Sequence, residues 1–433
     1  MQAISPQADT FWLDFLHARE KSRILLLPEL FPEPLATEDE LFDLVLQVNK
    51  RHVPTPDDSK FKVYINHKLV TADILKAAPA KPDGSFHAYA RRLETEMGAK
   101  QYLFFLEDIH RYSVPIWLRA CKMLKQLFAH TGLPASHATV ELFAGKYTRT
   151  SGGVHRELCS NFQYVVHGDK TMKVWDPDVF DPSQCYLKRP NGEQYLPDDA
   201  AQGKEHLGDA VTARPTQTMY WPARYWHTGE SPEFTISLTI ALYMENNMAD
   251  TTLELLRERL MQRSAMNRVS YSLPFTDRPF GENGAALPLN PHTPAYEAIQ
   301  QEIRSGDLRE CLEDAWYKRA SALGFEWTPY PLEEKPALQS GSSVVMQAPA
   351  GIFHRPTAGG TRVFANGYCL DTSLSQAEVR SLIDLLGTGE RVTLRKILPS
   401  LQGSNGSLEE RRRLIEELAK LNAVQISNTE DIS

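Results

Sequence analysis

The 433-residue chain has 42% hydrophobic and 24% charged residues, the composition of an ordinary globular protein, which argues against disorder or a fibrous repeat. Its net charge of −8 argues against nucleic acid as the main partner, because proteins that grip phosphate backbones gain affinity from clustered basic side chains. Five scattered cysteines without a C-x-x-C pair indicate neither a disulfide framework nor a structural zinc site. The chain also lacks a signal-like or long apolar segment, which together with the cysteines predicts a cytoplasmic protein with no membrane partner.

The first region, residues 1–136, mixes helical and extended patterns and is expected to flank the core of the protein. Apolar side chains recur with helical spacing in residues 36–50 and 115–132. Between them, residues 60–70 and 101–108 are rich in aromatic and branched side chains, which predicts strands.

The second region, residues 137–247, changes to short apolar segments separated by turn residues. Such a succession predicts an antiparallel sandwich or barrel. Five strands are predicted here, with the sequences ATVELFAGKY, NFQYVVHG, KTMKVWDP, TQTMYWPA and FTISLTIALYM.

Helical patterns return in the third region, residues 248–335, first at 251–266 and then twice within 294–323. A Pro- and Gly-rich loop separates the two groups. This helical region is a candidate for dimerisation, so the chain is expected to form a homodimer.

The last region, residues 345–433, is predicted to be a domain of its own. Ser375 and Glu378 have the spacing of a capping box at the start of a helix, and Ser407 and Glu410 repeat that spacing before a second helix. Two helices and a closing strand resemble a winged helix.

A candidate metal site begins with His155 and Glu157. On a strand, residues i and i+2 point to the same face, so the two side chains would reach one ion. A histidine and a carboxylate are two arms of the triad that binds Fe(II) and leaves positions open for oxygen and a cosubstrate. His227, in a proline-containing turn before an apolar strand, is predicted to be the third ligand.

Lys170 follows the predicted turn at residues 167–169, so it would begin a strand running back beside the one that carries Asn161 and Gln163. A recessed ammonium needs an anionic partner, and the distal carboxylate of 2-oxoglutarate would supply one. Alternatively, Lys170 is a solvated hairpin lysine. His167, inside the turn, is interpreted as structural or solvated and not as a ligand.

The segment HRELCSNFQYVVHGDK resembles the core motif of the JmjC oxygenases, in which a His-x-acid pair is followed by Asn-Phe and a Gly-x-Lys turn. It is especially similar to the motif of the asparaginyl hydroxylase that acts on hypoxia-inducible factor. MYWPARYWHTGES likewise resembles that family's segment around the distal histidine. The resemblance implies a mainly β core, the double-stranded β-helix or jelly roll of the cupin and JmjC proteins, with flanking helices, a helical middle region and a winged-helix-like C-terminal domain.

Residue by residue, the resemblance implies that His155, Glu157 and His227 bind iron, that Lys170 pairs with 2-oxoglutarate and that Asn161 hydrogen-bonds near the cosubstrate. This chain departs from the motif at two positions. Glu157 stands where hydroxylases of this group more often have Asp, and Gly152 replaces a hydroxyl residue that contacts the cosubstrate. Tyr147, Thr150 or Ser151 could take over that contact, and Ser237 is a candidate for the lining of the pocket.

The leading hypothesis is therefore an Fe(II)- and 2-oxoglutarate-dependent dioxygenase that uses molecular oxygen to hydroxylate a protein or peptide side chain. The layout resembles that of JmjC ribosomal oxygenases, which favours a protein substrate. A winged helix can also grip a leader peptide, so a tailoring oxygenase of a ribosomally made peptide natural product is an alternative. Further alternatives are a metal-binding cupin sensor or regulator without enzymatic activity, and a metal-dependent cupin enzyme that needs no cosubstrate.

Overall fold

The computed structural model describes residues 10–51, 60–72, 74–189, 192–197, 199–245, 248–262, 292–339, 341–397 and 405–428. The chain forms two compact units, the first made of Met1–Glu245 with Arg319–Ser433 and the second of Asn246–Lys318. Within the described residues, no helix combines the length and apolar character needed to cross a membrane.

The helices are distributed over the whole described chain. They are α1 (Phe11–Arg19), α2 (Glu38–Arg51), α3 (Ile74–Ala77), α4 (Phe86–Glu96), α5 (Val114–Thr131), α6 (Met248–Gln262), α7 (His292–Ser305), α8 (Asp307–Ser321), α9 (Gln376–Leu386), α10 (Leu394–Ile397) and α11 (Asn405–Lys420). Those predicted in the first region, α2 and α5, are confirmed within two residues at each end.

The strands fall into an N-terminal and a C-terminal group. The first group is β1 (Leu25–Leu27), β2 (Phe61–Ile65), β3 (Lys68–Leu69), β4 (Tyr102–Leu106), β5 (Ala138–Tyr147), β6 (His155–Arg156), β7 (Ser160–His167), β8 (Lys170–Trp175), β9 (Leu187–Lys188), β10 (Gln194–Tyr195), β11 (Asp209–Ala213), β12 (Thr218–Trp221) and β13 (Trp226–Leu242). The second group is β14 (Ser343–Met346), β15 (Phe353–Thr357), β16 (Gly360–Ala365), β17 (Tyr368–Thr372), β18 (Val392–Thr393) and β19 (Val424–Ser427).

The N-terminal strands form two antiparallel layers that share β13. In the first layer the order is β1-β12-β7-β13-β5-β4-β2-β3. In the second, β13 pairs with β8 and β6, while β11 extends from β8 and β10 and β9 extend from β6. The predicted antiparallel core with flanking helices is confirmed, and its arrangement is that of a jelly roll.

The long strand β13 belongs to both layers because it changes partners along its length. Residues 226–230 pair with β8, whereas residues 235–242 pair with β5 and β7. Between Ser231 and Thr235 the register shifts, as in a β-bulge, which bends a strand and re-aims its side chains. The first half of β13 therefore carries its side chains into a different layer from the second.

The prediction that Lys170 begins a strand paired with the one that carries Asn161 and Gln163 is wrong. Gly168 has a φ of +72°, so the turn at residues 167–169 forms as expected, but β8 then pairs with β13 and β11 and makes no pairing with β7. A Cβ on Gly168 would lie 2.4 Å from the carbonyl oxygen of Phe234. At this turn, which lies close to β13, the chain passes from the first layer to the second.

One apolar core joins the first layer to the N-terminal helices. The helix α1 contributes Phe15, whose ring lies edge-on to Tyr220 at 4.8 Å and contacts Phe162 at 5.5 Å between centroids. All three side chains are almost completely buried. Burial of each such aromatic ring contributes about 2 to 3 kcal/mol to the stability of the fold, so α1 and the first layer stabilise each other.

The C-terminal part of the first unit has its own core, two three-stranded sheets and the helices α9 to α11. The capping box at the start of α9 is confirmed, since Ser375 N donates to Glu378 Oε2 at 3.0 Å and Glu378 N donates to Ser375 Oγ at 3.4 Å. The prediction of a second capping box at Ser407 and Glu410 is wrong, because α11 begins two residues before Ser407. Glu410 instead accepts a hydrogen bond from Thr372 Oγ1 at 2.8 Å. The winged helix stays a prediction.

The second unit contains α6, α7 and most of α8. Arg259 on α6 donates to Glu302 on α7 at 2.6 Å and to Asp307 at 3.1 Å, which links the helices of this unit by ion pairs. The predicted helices of this region are confirmed over the described residues, and residues 263–266 lie outside them.

Candidate metal centre

The three side chains that the sequence predicts as ligands converge in the second layer. His155 on β6 lies directly opposite His227 on β13, with 4.3 Å between the ring centroids. Glu157, just beyond β6, places Oε1 3.7 Å from His155 Nε2 and Oε2 3.8 Å from His227 Nε2. Ligand atoms of all three lie within 4.8 Å of one another, a spacing suited to a single ion with bonds of about 2 Å.

Backbone carbonyls orient both imidazole rings. The Nδ1 atom of His155 lies 3.1 Å from Gly153 O, and Nδ1 of His227 lies 3.0 Å from Tyr225 O. Because a carbonyl oxygen can only accept, each Nδ1 donates to its carbonyl, and each Nε2 is left facing Glu157. Such outer hydrogen bonds are a common feature of metal-binding histidines.

The electrostatics favour the ligand forms of His227 and Glu157. Burial acts to lower the pKa of His155, but its contact with Glu157 outweighs burial and the pKa is raised. Burial lowers the pKa of His227 to about 4, and the neighbouring His155 adds to the effect, so His227 is neutral at pH 7. Burial acts to raise the pKa of Glu157, but the contact with His155 outweighs it and the pKa falls to about 2. Neutral His227 and ionised Glu157 are therefore ready to bind a cation without either group losing a proton.

Arg156 and Tyr195 lie beside the triad. Arg156 points away from the site, where its guanidinium lies 4.6 Å from the Trp226 ring and donates to Gln194 at 2.9 Å. Tyr195, on β10, stacks on His155 with 5.3 Å between centroids and 10° between planes. The sequence did not reveal Tyr195, because β9 and β10 have two residues each and show no periodicity.

Lys170 is buried between the two layers, with only 1% of its surface exposed. It extends from β8 to β5, where Nζ donates to the hydroxyl of Tyr147 and lies 5.5 Å from the ring centroid of Phe143. In the part of the chain that the structure describes, Lys170 has no carboxylate partner. A buried cation is costly without a counter-charge, so this pocket suits an anionic ligand.

Gly229 lets β13 pack closely against the side chains around Lys170. It lies two residues after His227 on the same face of β13. A Cβ at this position would lie 3.3 Å from Lys170 Cε, 3.2 Å from Thr150 Cγ2 and 3.0 Å from Met172 Sδ. Glycine inside a strand often marks the close approach of a ligand or of another part of the backbone. On this basis Gly229 could have been recognised from the sequence.

The other predicted pocket residues lie on the first layer. Asn161 is buried and donates to Cys159 O at 3.4 Å. The buried hydroxyl of Ser237 accepts from Gln163 Nε2 at 3.4 Å, whereas Gln163 Oε1 has no hydrogen-bond partner among the described residues. An orphaned buried oxygen is unusual and marks this face as lined for a polar ligand. Thr150 lies at the Lys170 end, with Oγ1 3.4 Å from Thr228 Oγ1.

Neither a protein-family model nor a curated protein matches this chain. Among solved structures, the chain is similar to ribosomal oxygenases of the jelly-roll class. An X-ray structure of YcfD from Escherichia coli has 15% sequence identity and a TM-score of 0.52, covering 96% of this chain and 98% of that one. The ribosomal oxygenase YcfD in complex with cobalt and succinic acid has 14% identity and a TM-score of 0.51, covering 98% and 99%. The complex with cobalt and 2-oxoglutarate has 13% identity and a TM-score of 0.50, with the same coverage.

At these identities the likeness shows a shared fold that extends over nearly the whole length of both chains. The expectation of a fold like that of the ribosomal oxygenases is therefore confirmed.

Proposed function

We propose that this protein is an Fe(II)- and 2-oxoglutarate-dependent oxygenase that hydroxylates a protein or peptide side chain. The observation that carries the proposal is the buried ammonium of Lys170, which has no carboxylate partner among the described residues and packs against Gly229, two residues after His227 on β13. The similar YcfD structures, named as complexes with cobalt and 2-oxoglutarate or succinic acid, support the same assignment.

His155, Glu157 and His227 would hold the iron through two Nε2 atoms and one carboxylate, which leaves positions for the cosubstrate and molecular oxygen. Bound iron and 2-oxoglutarate together supply the power to oxidise an unactivated C–H bond, with succinate and carbon dioxide as the other products.

The protein's own residues position the reactants. Lys170 and Tyr147 would bind the distal carboxylate of the cosubstrate, and the absence of a side chain at Gly229 leaves Lys170 uncrowded. The hydroxyl of Thr150 lies at the same end, in place of the hydroxyl that Gly152 lacks. Asn161 and Ser237 provide polar groups on the opposite layer, and the stacked ring of Tyr195 keeps water from one side of His155.

The buried lysine also separates this proposal from a cupin sensor. A sensor that only binds metal does not need a buried ammonium, whose desolvation is costly, beside its ligands. A protein or peptide substrate remains our proposal on the basis of the shared layout, and the predicted winged-helix-like domain would help to select it.

The second unit supports the proposal of a homodimer. Five large apolar side chains on its helices are more than half exposed, and a second copy of the chain would cover them. They are Leu253, Met261, Tyr296, Ile303 and Trp316. In sedimentation equilibrium we expect a dimer that Trp316→Glu converts to monomer, whereas Leu13→Glu, equally exposed on α1, leaves it intact. A monomeric parent chain would contradict the dimer.

The decisive experiment measures succinate formation from 2-oxoglutarate with Fe(II), ascorbate and a panel of ribosomal proteins and short peptides. In Lys170→Ala the KM for 2-oxoglutarate should rise about 100-fold, because a charge-assisted contact to a buried carboxylate contributes about 3 kcal/mol. Lys173→Ala is the matched control, since Lys173 lies on the same strand and pairs with Glu230 at 2.6 Å outside the pocket.

Gly229→Val tests the same pocket sterically, because its added methyl groups would occupy the space next to Lys170 and should also raise KM for 2-oxoglutarate. If the parent chain forms no succinate above the level of His155→Ala with any substrate, the proposed activity is wrong. If Lys170→Ala leaves KM unchanged, the assignment of the carboxylate partner is wrong.

A further inference from the structure

A second group of two histidines and one glutamate lies away from the triad, where α2, α4 and the end of β7 meet. Each of Glu38, His87 and His167 offers a ligand atom within 4.8 Å of the others. Glu38 Oε1 lies 2.7 Å from His167 Nδ1, and Glu38 Oε2 lies 3.4 Å from His87 Nε2. The two rings stand edge to face, with 4.6 Å between centroids and 85° between planes. We call these three residues the outer cluster.

Rigid elements hold the outer cluster in place. Glu38 lies in the first turn of α2, which is capped by a reciprocal pair of hydrogen bonds between Thr37 and Glu40 at 2.9 and 3.2 Å. His87 lies in the first turn of α4, where Ser85 Oγ accepts from Ala88 N at 3.2 Å. Ligands fixed by capped helices lose little freedom when an ion binds, which favours affinity.

His167 is equally constrained. It ends β7 immediately before Gly168, whose Cα approaches β13 so closely that an added Cβ would lie 2.4 Å from Phe234 O. The Phe234 ring borders the outer cluster, 5.6 Å from His87 and 6.2 Å from His167 between centroids. An apolar wall reduces the competition of water for the ligand atoms.

The chemistry of the outer cluster suits a divalent transition metal. Two imidazole nitrogens and one carboxylate oxygen from three separate elements match the three-ligand set of zinc sites that keep a fourth position for water. A simple ion pair would need only one of the two histidines, whereas here each carboxylate oxygen faces a different ring.

We propose that the outer cluster is a second metal site that binds Zn²⁺ through Glu38, His87 and His167. An ion there ties α2 and α4 to the corner between β7 and β8, and Lys170 begins β8 three residues after His167. The ion would therefore stabilise the corner that places Lys170 between the layers. This inference does not depend on the proposed oxygenase activity.

The test counts zinc ions per chain after metal removal, addition of Zn²⁺ alone and gel filtration. In the full-length His227→Ala chain, where the triad is incomplete, we expect one tightly bound equivalent. Adding His87→Ala or His167→Ala should remove it. Adding His206→Ala, which deletes an exposed histidine elsewhere, should leave it in place. The thermal midpoint should rise with zinc only in the chains that retain the outer cluster.

His87 is exposed, so its replacement is expected to leave the fold intact, and circular dichroism of each variant checks this. If His87→Ala and its parent bind the same number of zinc ions, or if neither binds any, the outer cluster is only an ion pair and the proposal is overturned. A loss of zinc in His206→Ala equal to that in His87→Ala would also overturn it.

Discussion

The protein contains two clusters of the same composition, two histidines and one glutamate, in different surroundings. In the triad, backbone carbonyls hold both Nδ1 atoms and both Nε2 atoms face Glu157. In the outer cluster, the carboxylate of Glu38 bonds directly to a ring nitrogen. His227 of the triad lies on the strand whose Gly229 packs against the buried Lys170, whereas the outer cluster joins two helices to a strand end. We therefore expect the same ligand set to support catalysis at one site and stability at the other.

The largest expected effect comes from breaking the triad. His227→Ala removes one of its ligands, and loss of even an outer hydrogen bond to a metal ligand costs about 10- to 100-fold in affinity, so we expect Fe(II) binding at the triad to weaken by at least about 100-fold. Succinate formation should fall to background. Anaerobic metal titration and the succinate assay measure the two effects.

His206→Ala is the matched control for that experiment, because it removes a histidine from an exposed loop and should leave both quantities unchanged. An unfolded His227→Ala chain is distinguished by its zinc content, since the outer cluster should still bind one equivalent. Full succinate formation in folded His227→Ala would contradict the assignment of the triad.

His110 sharpens the comparison, because it is a buried histidine that cannot bind a metal. Its Nε2 donates to Trp327 O at 2.9 Å and its Nδ1 accepts from Val140 N at 3.3 Å, so both ring nitrogens are occupied. Burial lowers the pKa of His110 to about 4. The neutral ring is the only form that makes both hydrogen bonds.

The lowered pKa of His110 predicts a smaller effect, a dependence of the free energy of unfolding on pH. Because the pKa of His110 is lower in the folded chain than its ordinary 6.5, the unfolded chain takes up a proton first as the pH falls. Stability is therefore fully present above pH 6.5 and decreases towards pH 4, by about 2 kcal/mol between pH 7 and pH 5 from this group alone. In His110→Gln, which keeps one donor and one acceptor, the free energy of unfolding should depend less on pH. Equal slopes in parent and variant would contradict this account.

Much of the fold could be predicted because local patterns are strong. The alternation in residues 138–147 predicted β5 with its observed bounds, and the spacing of Ser375 and Glu378 predicted the start of α9. The second capping box failed because the same spacing also occurs inside a helix, where Glu410 bonds to Thr372 instead. The hairpin prediction failed because a turn sets the reversal of the chain but not the layer that the next strand joins.

The candidate site, like the fold, could be predicted only in part from the sequence. His155, Glu157 and His227 could be proposed from spacing and from the resemblance to a known motif, and the structure brings them together. Tyr195 and the outer cluster had no usable signal, because their members lie on short or widely separated elements. His167 was interpreted as a structural or solvated turn residue, since nothing in its own segment places Glu38 or His87 beside it.

The sequence by itself therefore determined where strands and helices form and which residues could bind iron, because alternation, capping and turn residues act over a few neighbouring positions. Only the tertiary structure decided that β13 belongs to both layers, that Lys170 lies buried between them without an acidic partner in the described chain, and that a second His-Glu cluster forms. These features depend on hydrogen bonds and packing between residues far apart in the chain, which no local pattern encodes.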